Sequence, residues 1–287
     1  MTSIVFFGSS TYSVIILKAL LDIKSFKISA VVTKKDKPVG RNQKILPNPV
    51  SQFALNSHLK LLQPDNFDER FFRQFQSLNP ELALVVAYGP PYFSKDMINV
   101  PKHKVVNIHP SPLPKYRGAT PGPWQIINGE TISAVTFFQI DEKPDHGPII
   151  TQIPFPLSDN ETAHSFYTKA FQFAADNLET VLKTYLRNPK ALIPQDHNQK
   201  SYYPKFDKNT AQIDWSWKPE KIERFVRAMQ PWPTAWTYVK NPQQQKLKMK
   251  ILSGKITNGR FSPSTVQIEG KKPASWDQVQ AHYTLTS

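Results

Sequence analysis

The sequence predicts an α/β domain built on a mostly parallel β-sheet, followed by a small, mostly β domain. In the first half, short runs of consecutive apolar residues alternate with segments of helical periodicity. A parallel sheet that is covered by helices on both faces requires this alternation. After one long amphipathic segment, the chain becomes rich in Pro, Gln, Asn and Lys, which is typical of a linker. Short strand-like runs separated by turn residues follow, and they indicate the β domain.

The elements of the first domain are predicted from these apolar runs. Ser9 and Ser10 follow the first run and offer N-cap hydroxyls to the first helix. The predicted strands are residues 4–7, 28–33, 82–87, 104–108, 134–140 and 149–155. The predicted helices cover residues 12–22 and 161–186.

The second domain is predicted after the change in composition. We place the α/β domain at residues 1–187, the linker at 188–204 and the β domain at 205–287. A helix over 219–229, with Pro219 in its first turn, precedes strands at 236–239 and 246–255. Asn258 and Gly259 lie between two strand-like runs and predict a hairpin.

The composition excludes several classes of protein. The chain of 287 residues contains no cysteine, which rules out disulfides, thiolate catalysis and zinc held by cysteine. The N-terminal apolar run has no basic residue before it and no cleavage pattern after it, so no signal peptide is predicted. No apolar stretch reaches the roughly 20 residues that span a bilayer. We therefore expect a cytoplasmic protein without a membrane partner.

The charge balance points to a polyanionic partner. Lys and Arg number 36 against 22 Asp and Glu, which gives a formal net charge of +14. Nucleic acid is favoured over an anionic membrane. A generally basic, soluble surface remains an alternative from charge alone.

Candidate site residues follow the predicted strands, because ligands of open parallel sheets bind beyond the carboxyl ends of the strands. A single glycine follows the first strand without GxGxxG or P-loop spacing, so no dinucleotide or nucleoside triphosphate site is expected. The strand ends to consider are Phe7, Thr33, Ala87, Ile108 and Ile140.

The segment around residue 109 is the richest of these in functional groups. On an extended strand, Asn107 and His109 project from the same face, because side chains alternate with a period of two. An amide donor beside an imidazole suits oxyanion stabilisation combined with proton transfer. Pro110, Pro112 and Pro114 stiffen the loop that follows. His109 alone could equally be a structural hydrogen-bonding residue.

A carboxylate-rich turn at residues 140–148 follows another predicted strand. Asp145 is placed to point back at the sheet, where it can orient an amine and accept its proton. Asp141 and Glu142 fit turn-capping or solvated positions, and His146 fits a solvated loop. Two neutral donors and one carboxylate make a poor ligand set, and no HExxH spacing exists, so no metal is expected.

Residues 107–118 read Asn-x-His-Pro-Ser-x-Leu-Pro-x-x-Arg-Gly, and residues 145–149 read Asp-x-Gly-Pro-Ile. This combination resembles the signature of formyltetrahydrofolate-dependent formyltransferases. The resemblance implies a Rossmann-like catalytic domain, an OB-like β-barrel after it, and 10-formyltetrahydrofolate as the co-substrate. Several classes of formyltransferase share this core, so it does not choose the amine that accepts the formyl group.

The resemblance also implies roles for individual residues. Asn107 and His109 would stabilise the oxyanion, and Asp145 would orient His109 and take up the amine proton. The residues expected to bind folate are Val86, Ala87, Tyr88, Gly89, Ser111, Pro112, Leu113, Pro114 and Asp141.

Three further segments indicate the acceptor. Residues 34–44 contain five Lys or Arg and are similar to the loop by which methionyl-tRNA formyltransferases grip the acceptor stem. The similarity implies tRNA contacts from Lys37, Arg41 and Lys44, which could each replace a condensed counterion at a phosphate. Residues 213–236 and 266–273 resemble the C-terminal domain of the same enzymes. That domain is shorter here by about one hairpin.

The expected function is therefore formyl transfer from 10-formyltetrahydrofolate to the α-amino group of methionyl-initiator tRNA, for translation initiation, by a monomer. A formyltransferase for an amino sugar or another small amine is the alternative. A catalytically inactive RNA-binding protein is the third possibility, but binding alone has no need of Asn107, His109 and Asp145 together.

Overall fold

A computed structural model describes residues 1–39 and 44–286. The strands are β1 Thr2–Gly8, β2 Phe26–Val32, β3 Lys37–Val39, β4 Lys44–Leu46, β5 Leu61–Leu62, β6 Leu82–Val86, β7 Val105–His109, β8 Ile132–Gln139, β9 Ile149–Pro156, β10 Trp236–Lys240, β11 Lys246–Thr257, β12 Arg260–Ile268, β13 Ala274–Ser275 and β14 Thr284–Thr286. The α-helices are α1 Thr11–Asp22, α2 Pro49–Asn56, α3 Glu69–Ser77, α4 Lys95–Asn99, α5 Pro121–Asn128, α6 Ala163–Arg187, α7 Pro219–Ala228 and α8 Trp276–Val279.

The first domain is built on a seven-stranded sheet in the order β5-β2-β1-β6-β7-β8-β9. The pairs from β5 to β7 are parallel. β6 is buried at all five of its positions. The sheet is Rossmann-like and mostly parallel, so the predicted α/β class is confirmed.

Local chemistry explains where the predicted helices begin. The Ser10 side chain accepts a hydrogen bond from the backbone N–H of Ser13, and the Ser13 side chain accepts one from the N–H of Ser10. This reciprocal pair satisfies two of the donors that a helix start leaves open. Pro219 lies in the first turn of α7, as predicted. The shorter helices α2, α3, α4 and α5 have too few apolar positions for a periodic signal, and the sequence analysis did not predict them.

One predicted strand runs in the opposite direction from its neighbours. β8 is antiparallel to β7, with His109 opposite Thr136 and Val106 opposite Gln139. The N–H of Ile140 consequently donates to the carbonyl of Val105, at the start of β7. The expectation that Ile140 lies at the carboxyl edge with the other strand ends is wrong. Residues 141–147 must instead run back toward the end of β7.

The β domain contains a five-stranded sheet in the order β13-β12-β11-β10-β14, with antiparallel pairing throughout. The predicted hairpin joins β11 to β12, where Thr257 pairs with Arg260. Asn258 and Gly259 have φ angles of 50° and 70°. A two-residue turn with two positive φ angles is the Asn-Gly turn that matches the twist of the strands. The predicted β domain is confirmed as an antiparallel sheet.

The chain forms two compact units. One unit comprises residues 1–118, 133–155 and 168–202, and the other comprises 119–132, 156–167 and 203–287. The proposed boundaries at residues 187 and 204 remain a prediction. Within the described residues, no helix has both the length and the apolar character needed to cross a membrane.

Candidate active site

His109 ends β7 and is only 6% exposed. Its Nε2 lies 3.0 Å from the carbonyl oxygen of Tyr116, in the loop that follows β7. A carbonyl oxygen only accepts hydrogen bonds, so Nε2 must carry the proton. In the neutral ring, Nδ1 is consequently left with a free lone pair.

Asp145 comes from the turn at residues 140–148 and faces that lone pair. One carboxylate oxygen, Oδ1, lies 3.6 Å from Nδ1 of His109. The other, Oδ2, accepts the backbone N–H of Gly118 at 2.8 Å. With His109 neutral and Asp145 ionised, two proton acceptors face one another across 3.6 Å. A proton or an N–H group placed between them would be attracted by both.

Asn107 lies on the same face of β7 as His109, as predicted from the alternation of the strand. Its side chain is half-buried. In residues 1–39 and 44–286 no group forms a hydrogen bond with its amide. The amide N–H groups of Asn107 can therefore donate to a ligand.

The turn that carries Asp145 is tightly packed against the end of β8. The N–H of Gln139 donates to the carbonyl of Pro148 at 3.0 Å. A Cβ atom at Gly147 would lie 1.9 Å from the carbonyl oxygen of Gln139, well inside van der Waals contact. Only glycine fits there. Asp145 itself has a φ of 52°, in the left-handed region that non-glycine residues rarely occupy.

Sequence reasoning missed the groups that hold these side chains. The Tyr116 carbonyl and the Gly118 N–H are backbone groups, which the sequence pattern does not reveal. Gln195 was assigned to the linker, yet it is 6% exposed and donates to the carbonyls of Asp145 and Gly147. Arg117 belonged to the recognised motif and is 1% exposed, but no role was predicted for it.

The first predicted folate segment follows β6. Val86 is fully buried and its carbonyl accepts the hydroxyl of Ser13, while the carbonyl of Ala87 accepts the hydroxyl of Ser9. Ala87 and Gly89 are exposed and have positive φ angles. Tyr88 is buried at 4% exposure. A ligand can therefore reach the backbone of this segment at Ala87 and Gly89, and folate binding there stays a prediction.

The second predicted folate segment follows β7. Ser111 is fully buried, its hydroxyl donates to the carbonyl of Lys115, and its carbonyl accepts the hydroxyl of Thr136. Leu113 is 3% exposed, whereas Pro112 and Pro114 are half-buried. The prolines are thus the members of this segment with surface left for a ligand. Their role also stays a prediction.

The remaining predicted folate residue, Asp141, is engaged inside its own turn. Its Oδ1 accepts the N–H of Lys143 at 3.0 Å, and its Oδ2 lies 2.5 Å from Nδ1 of His146. The ring of His146 stacks on His197 with centroids 4.0 Å apart. Partial desolvation, together with the charges of His146 and Arg117, lowers the pKa of His197 below its ordinary value. These side chains form a surface layer over the turn.

The predicted basic loop contains a two-stranded antiparallel ribbon of β3 and β4. Lys37 at its start is exposed. Arg41 lies outside the described residues, and only the backbone of Lys44 is described, in β4. The predicted tRNA contacts of these three residues stay predictions.

The base of the ribbon is held by a polar cluster. Oδ1 of Asp36 accepts the backbone N–H of Asn48 at 2.9 Å and the side-chain amide of Gln63 at 3.1 Å. Asn48 in turn caps helix α2, and its amide donates to the carbonyl of Lys34 at 2.7 Å. The two ends of the basic segment are therefore fixed to one another through Asp36 and Asn48.

Lys34 lies against the segment that follows β6. Its Nζ lies 3.8 Å from the centroid of the Tyr88 ring and donates to the carbonyl of Pro90. Burial, and then the charge of Lys37, lowers the pKa of Lys34 to about 8. Burial raises the pKa of Tyr88 to about 12. Two parts of the predicted surface, the basic segment and the residues after β6, therefore touch at Lys34.

One face of the β domain concentrates lysines and aromatic rings. Nζ of Lys246 lies 3.9 Å from the ring centroid of Tyr238, and Nζ of Lys248 lies 3.6 Å from that of Trp236. Desolvation and the charge of Lys250 lower the pKa of Lys248. By the register of β10 and β11, this lysine face comprises Trp236, Tyr238, Lys240, Lys246, Lys248 and Lys250.

The comparison with protein families decides the assignment. The family model described as formyl transferase matches residues 1–182, and the model described as formyl transferase, C-terminal domain, matches residues 205–275. The chain belongs to the formyl transferase family. Together the two matches cover both the sheet that carries His109 and the β domain.

Individual formyl transferases are similar over most of the chain. The chain is 37% identical to a methionyl-tRNA formyltransferase of Thermodesulfovibrio yellowstonii, over 90% of this chain and 83% of the relative. Two solved structures share the fold. A methionyl-tRNA formyltransferase from Clostridium thermocellum is 16% identical, with a TM-score of 0.64, over 93% of this chain and 98% of its own. An N-formyltransferase from Helicobacter canadensis is 23% identical, with a TM-score of 0.66, over 90% and 89%.

Within the described residues of this formyl transferase, no group of three or more His, Asp or Glu side chains is placed to hold a metal ion. The contacts that surround His109 and Asp145 come instead from backbone groups and from the Gln195 amide.

Proposed function

We propose that this chain transfers the formyl group of 10-formyltetrahydrofolate to the α-amino group of methionyl-initiator tRNA. The observation that supports formyl transfer is the buried pair of His109 and Asp145, with the free amide of Asn107 on the same strand face. The acceptor is taken from the relative of the same name, with which the chain shares 37% identity over 90% of its length.

In this mechanism the amine nitrogen attacks the formyl carbon, and the carbonyl electrons move to the oxygen. Asn107 donates an N–H to the oxyanion that forms. Such a donor is already in place before the reaction, so it stabilises the transition state more than the substrate. Loss of one such donor costs about 2.7–4 kcal/mol in the barrier. Nε2 of His109 cannot share this task, because it already donates to Tyr116.

His109 and Asp145 handle the proton that the amine loses. The attacking amine acquires a positive charge, and its N–H lies between the Nδ1 lone pair and the Asp145 carboxylate. Transfer to this pair leaves the imidazolium beside an ionised carboxylate, which is a favourable ion pair. Protonated Nδ1 can then donate to the oxyanion alongside Asn107. Collapse of the intermediate breaks the bond to N10 of the folate, and the same proton passes to that nitrogen.

The folate donor is placed beside this pair by the exposed backbone at Ala87 and Gly89 and by Pro112 and Pro114. Ser111 and Leu113 hold that second segment in shape through Thr136, to which the Leu113 N–H donates at 3.4 Å. This division separates residues that touch the folate from residues that shape its slot.

The basic surfaces supply recognition of the tRNA. The ribbon around Arg41 would contact the phosphates near the methionyl ester, and Asp36 fixes its base. The lysine face of the β domain presents further cations. Each lysine that neutralises a phosphate releases a counterion, which contributes to affinity without reading sequence. In this proposal the protein acts as a monomer in the cytoplasm.

The test of this function is a comparison of acceptors. The protein is incubated with 10-formyltetrahydrofolate and either charged initiator tRNA or amino-sugar nucleotides, and the formylated product is measured. We expect formyl-methionyl-tRNA. Turnover on an amino sugar with none on the tRNA would replace the proposed acceptor, and no turnover on any amine would reject formyl transfer.

The role of Arg41 is tested separately. Arg41→Ala should raise KM for the tRNA about tenfold, equivalent to about 1.4 kcal/mol, and leave KM for the folate unchanged. The matched control is Arg73→Ala, because Arg73 is a surface residue of α3 whose exposed side chain pairs with Glu69. An equal rise in KM for the folate would contradict the assignment of Arg41 to tRNA.

A further inference from the structure

Gln195 ties a segment of the predicted linker to the turn that carries Asp145. Its side chain is 6% exposed, and its Nε2 donates to the backbone carbonyls of Asp145 at 3.0 Å and Gly147 at 2.7 Å. These two carbonyls flank His146 within the turn. A single amide group therefore holds the backbone on either side of the residue after Asp145.

Arg117 fixes the orientation of that amide. It is 1% exposed, and its Nη2 donates to Oε1 of Gln195 at 2.6 Å and to Nδ1 of His197 at 2.8 Å. A guanidinium group only donates hydrogen bonds, so the oxygen of Gln195 must face Arg117. The nitrogen of Gln195 must then face the carbonyls of the turn. The bond to a charged donor is also stronger than one between neutral groups.

The backbone of Arg117 is held by the same segment. Its N–H donates to the carbonyl of Ser201 at 2.9 Å, and its Nη1 lies 3.4 Å from the hydroxyl of Tyr202. Residue 118, directly after Arg117, donates the N–H that Asp145 accepts. Gln195 and Arg117 thus control both sides of the Asp145 carboxylate: the turn from which it projects and the donor that it meets.

The turn needs such support. Asp145 has a left-handed φ of 52°, and conformations of this kind in non-glycine residues persist only where the surroundings impose them. The 3.6 Å between His109 and Asp145 is suited to an inserted N–H, and a shift of about 1 Å in a reacting group can cost about 100-fold in rate.

We propose that Gln195 and Arg117 are positioning residues for formyl transfer, which set the place of the Asp145 carboxylate without touching either substrate. Residues 188–204 would then belong to the catalytic unit and not to a linker. This inference rests on the proposed function for the role of Asp145, but the position of Asp145 can be measured without any activity.

Two substitutions test the inference. Gln195→Met keeps the size of the side chain and removes its donors and its acceptor. Gln195→Glu keeps an oxygen for Arg117 but turns a second oxygen toward the carbonyls of Asp145 and Gly147. The matched control is Gln199→Met, because Gln199 lies in the same segment and its exposed amide donates to Asp196.

The readout of position is the amide of Gly118, which donates to Asp145. The chain has 10 glycines, and residues 117–118 are its only Arg-Gly pair. Labelling arginine with ¹³C at the carbonyl and glycine with ¹⁵N therefore isolates one NMR signal. The second readout is steady-state kinetics, with kcat and KM for both substrates.

We expect both Gln195 variants to lower kcat by about 10- to 100-fold, with KM for 10-formyltetrahydrofolate unchanged, and to shift the Gly118 signal. The control should match the parent protein. An unchanged kcat, a fall in kcat without a shift of Gly118, or a fall in kcat with an equal rise in KM for the folate would each overturn the inference.

Folding and function are separated in this design. If Gln195→Met fails to fold, Gln195→Glu decides, because its carboxylate gains an ion pair with Arg117. If the parent protein formylates no amine, the proposed function fails, and the Gly118 signal still decides whether Gln195 positions Asp145.

Discussion

The candidate active site and the basic surfaces of this chain are built in opposite ways. His109 and the Asp145 carboxylate are 7% and 14% exposed at their side chains, and each is held by a backbone group. Lys246 and Lys248 rest on aromatic rings and keep their charges at the surface of the β domain. Proton transfer depends on distances of tenths of an ångström, whereas attraction of a polyanion depends mainly on the number of cations. Substitutions should therefore have large effects in the first region and small, salt-dependent effects in the second.

The largest effect is expected at Asp145. Asp145→Asn retains an oxygen for the N–H of Gly118 but removes the charge and the proton acceptor that face His109. We expect kcat to fall by about 10²- to 10⁴-fold, the range for loss of general acid–base catalysis. Single-turnover assays with saturating substrates measure this, with the exposed Asp96→Asn as control. A loss below tenfold would remove Asp145 from the proton-transfer step.

Asn107 should come next. Asn107→Ala removes the proposed oxyanion donor, and we expect kcat to fall by about 10²- to 10³-fold with little change in KM. Asn99→Ala, at the exposed end of α4, is the control. A variant that changed KM for the folate and spared kcat would show that Asn107 binds the donor and does not stabilise the oxyanion.

Asp36 lies between the two kinds of region, since it is an ordered anchor for a charged ribbon. Asp36→Ala removes the acceptor for Asn48 and Gln63, so the ribbon should lose its fixed base. We expect KM for the tRNA to rise by about tenfold while activity at saturating tRNA is retained. Asp65→Ala, which breaks only a surface ion pair with Lys35, is the control. Equal effects of the two substitutions would mean that the anchor does not matter.

The lysine face should give a smaller effect that depends on salt. Replacing Lys246 and Lys248 together by Ala should lower the slope of log affinity for tRNA against log salt by about 2, one for each phosphate contact. The control replaces the exposed Lys18 and Lys27. If both pairs changed the slope equally, binding would follow total charge and the lysine face would have no special part.

The smallest effect is expected at His197, through pH. The pKa of His197 in the folded protein lies below its ordinary value of 6.5, first through desolvation and then through the charges of His146 and Arg117. The unfolded chain therefore binds more protons than the folded one below about pH 6.5, and stability falls as the pH drops through the folded pKa.

His197→Gln should remove this contribution. The parent protein should lose more unfolding free energy than the variant between roughly pH 7 and pH 5, as measured by urea titration. His282→Gln, at another exposed histidine, should behave like the parent. Identical pH profiles for parent and His197→Gln would contradict the lowered pKa.

Much of the fold could be predicted because its signals are local. The hydroxyl of Ser10 caps α1 within one turn of the helix, and Asn258-Gly259 closes a hairpin between adjacent strands. Asn107 and His109 share a face because the strand period is two, whatever the strand pairs with. These features depend on residues within a few positions of one another.

The direction of β8 could not be predicted in this way. A buried run has the same apolar pattern in either orientation, and only its pairing with β7 shows that Gln139 lies beside Val106. The composition of residues 188–204 likewise indicates a linker, because polar residues and prolines look alike whether they are solvated or buried. Gln195 becomes buried only through partners that lie 48 to 78 positions away.

The sequence by itself determined the pair Asn107 and His109, the presence of Asp145 in a glycine-containing turn, and the basic character of residues 34–44. Only the tertiary structure decided which nitrogen of His109 carries the proton, what Asp145 faces and which side chains hold it. Residue types and periodicity describe what each segment can bury or donate. The partner that meets each group is chosen when distant segments pack, since every buried polar group must then find its hydrogen bond.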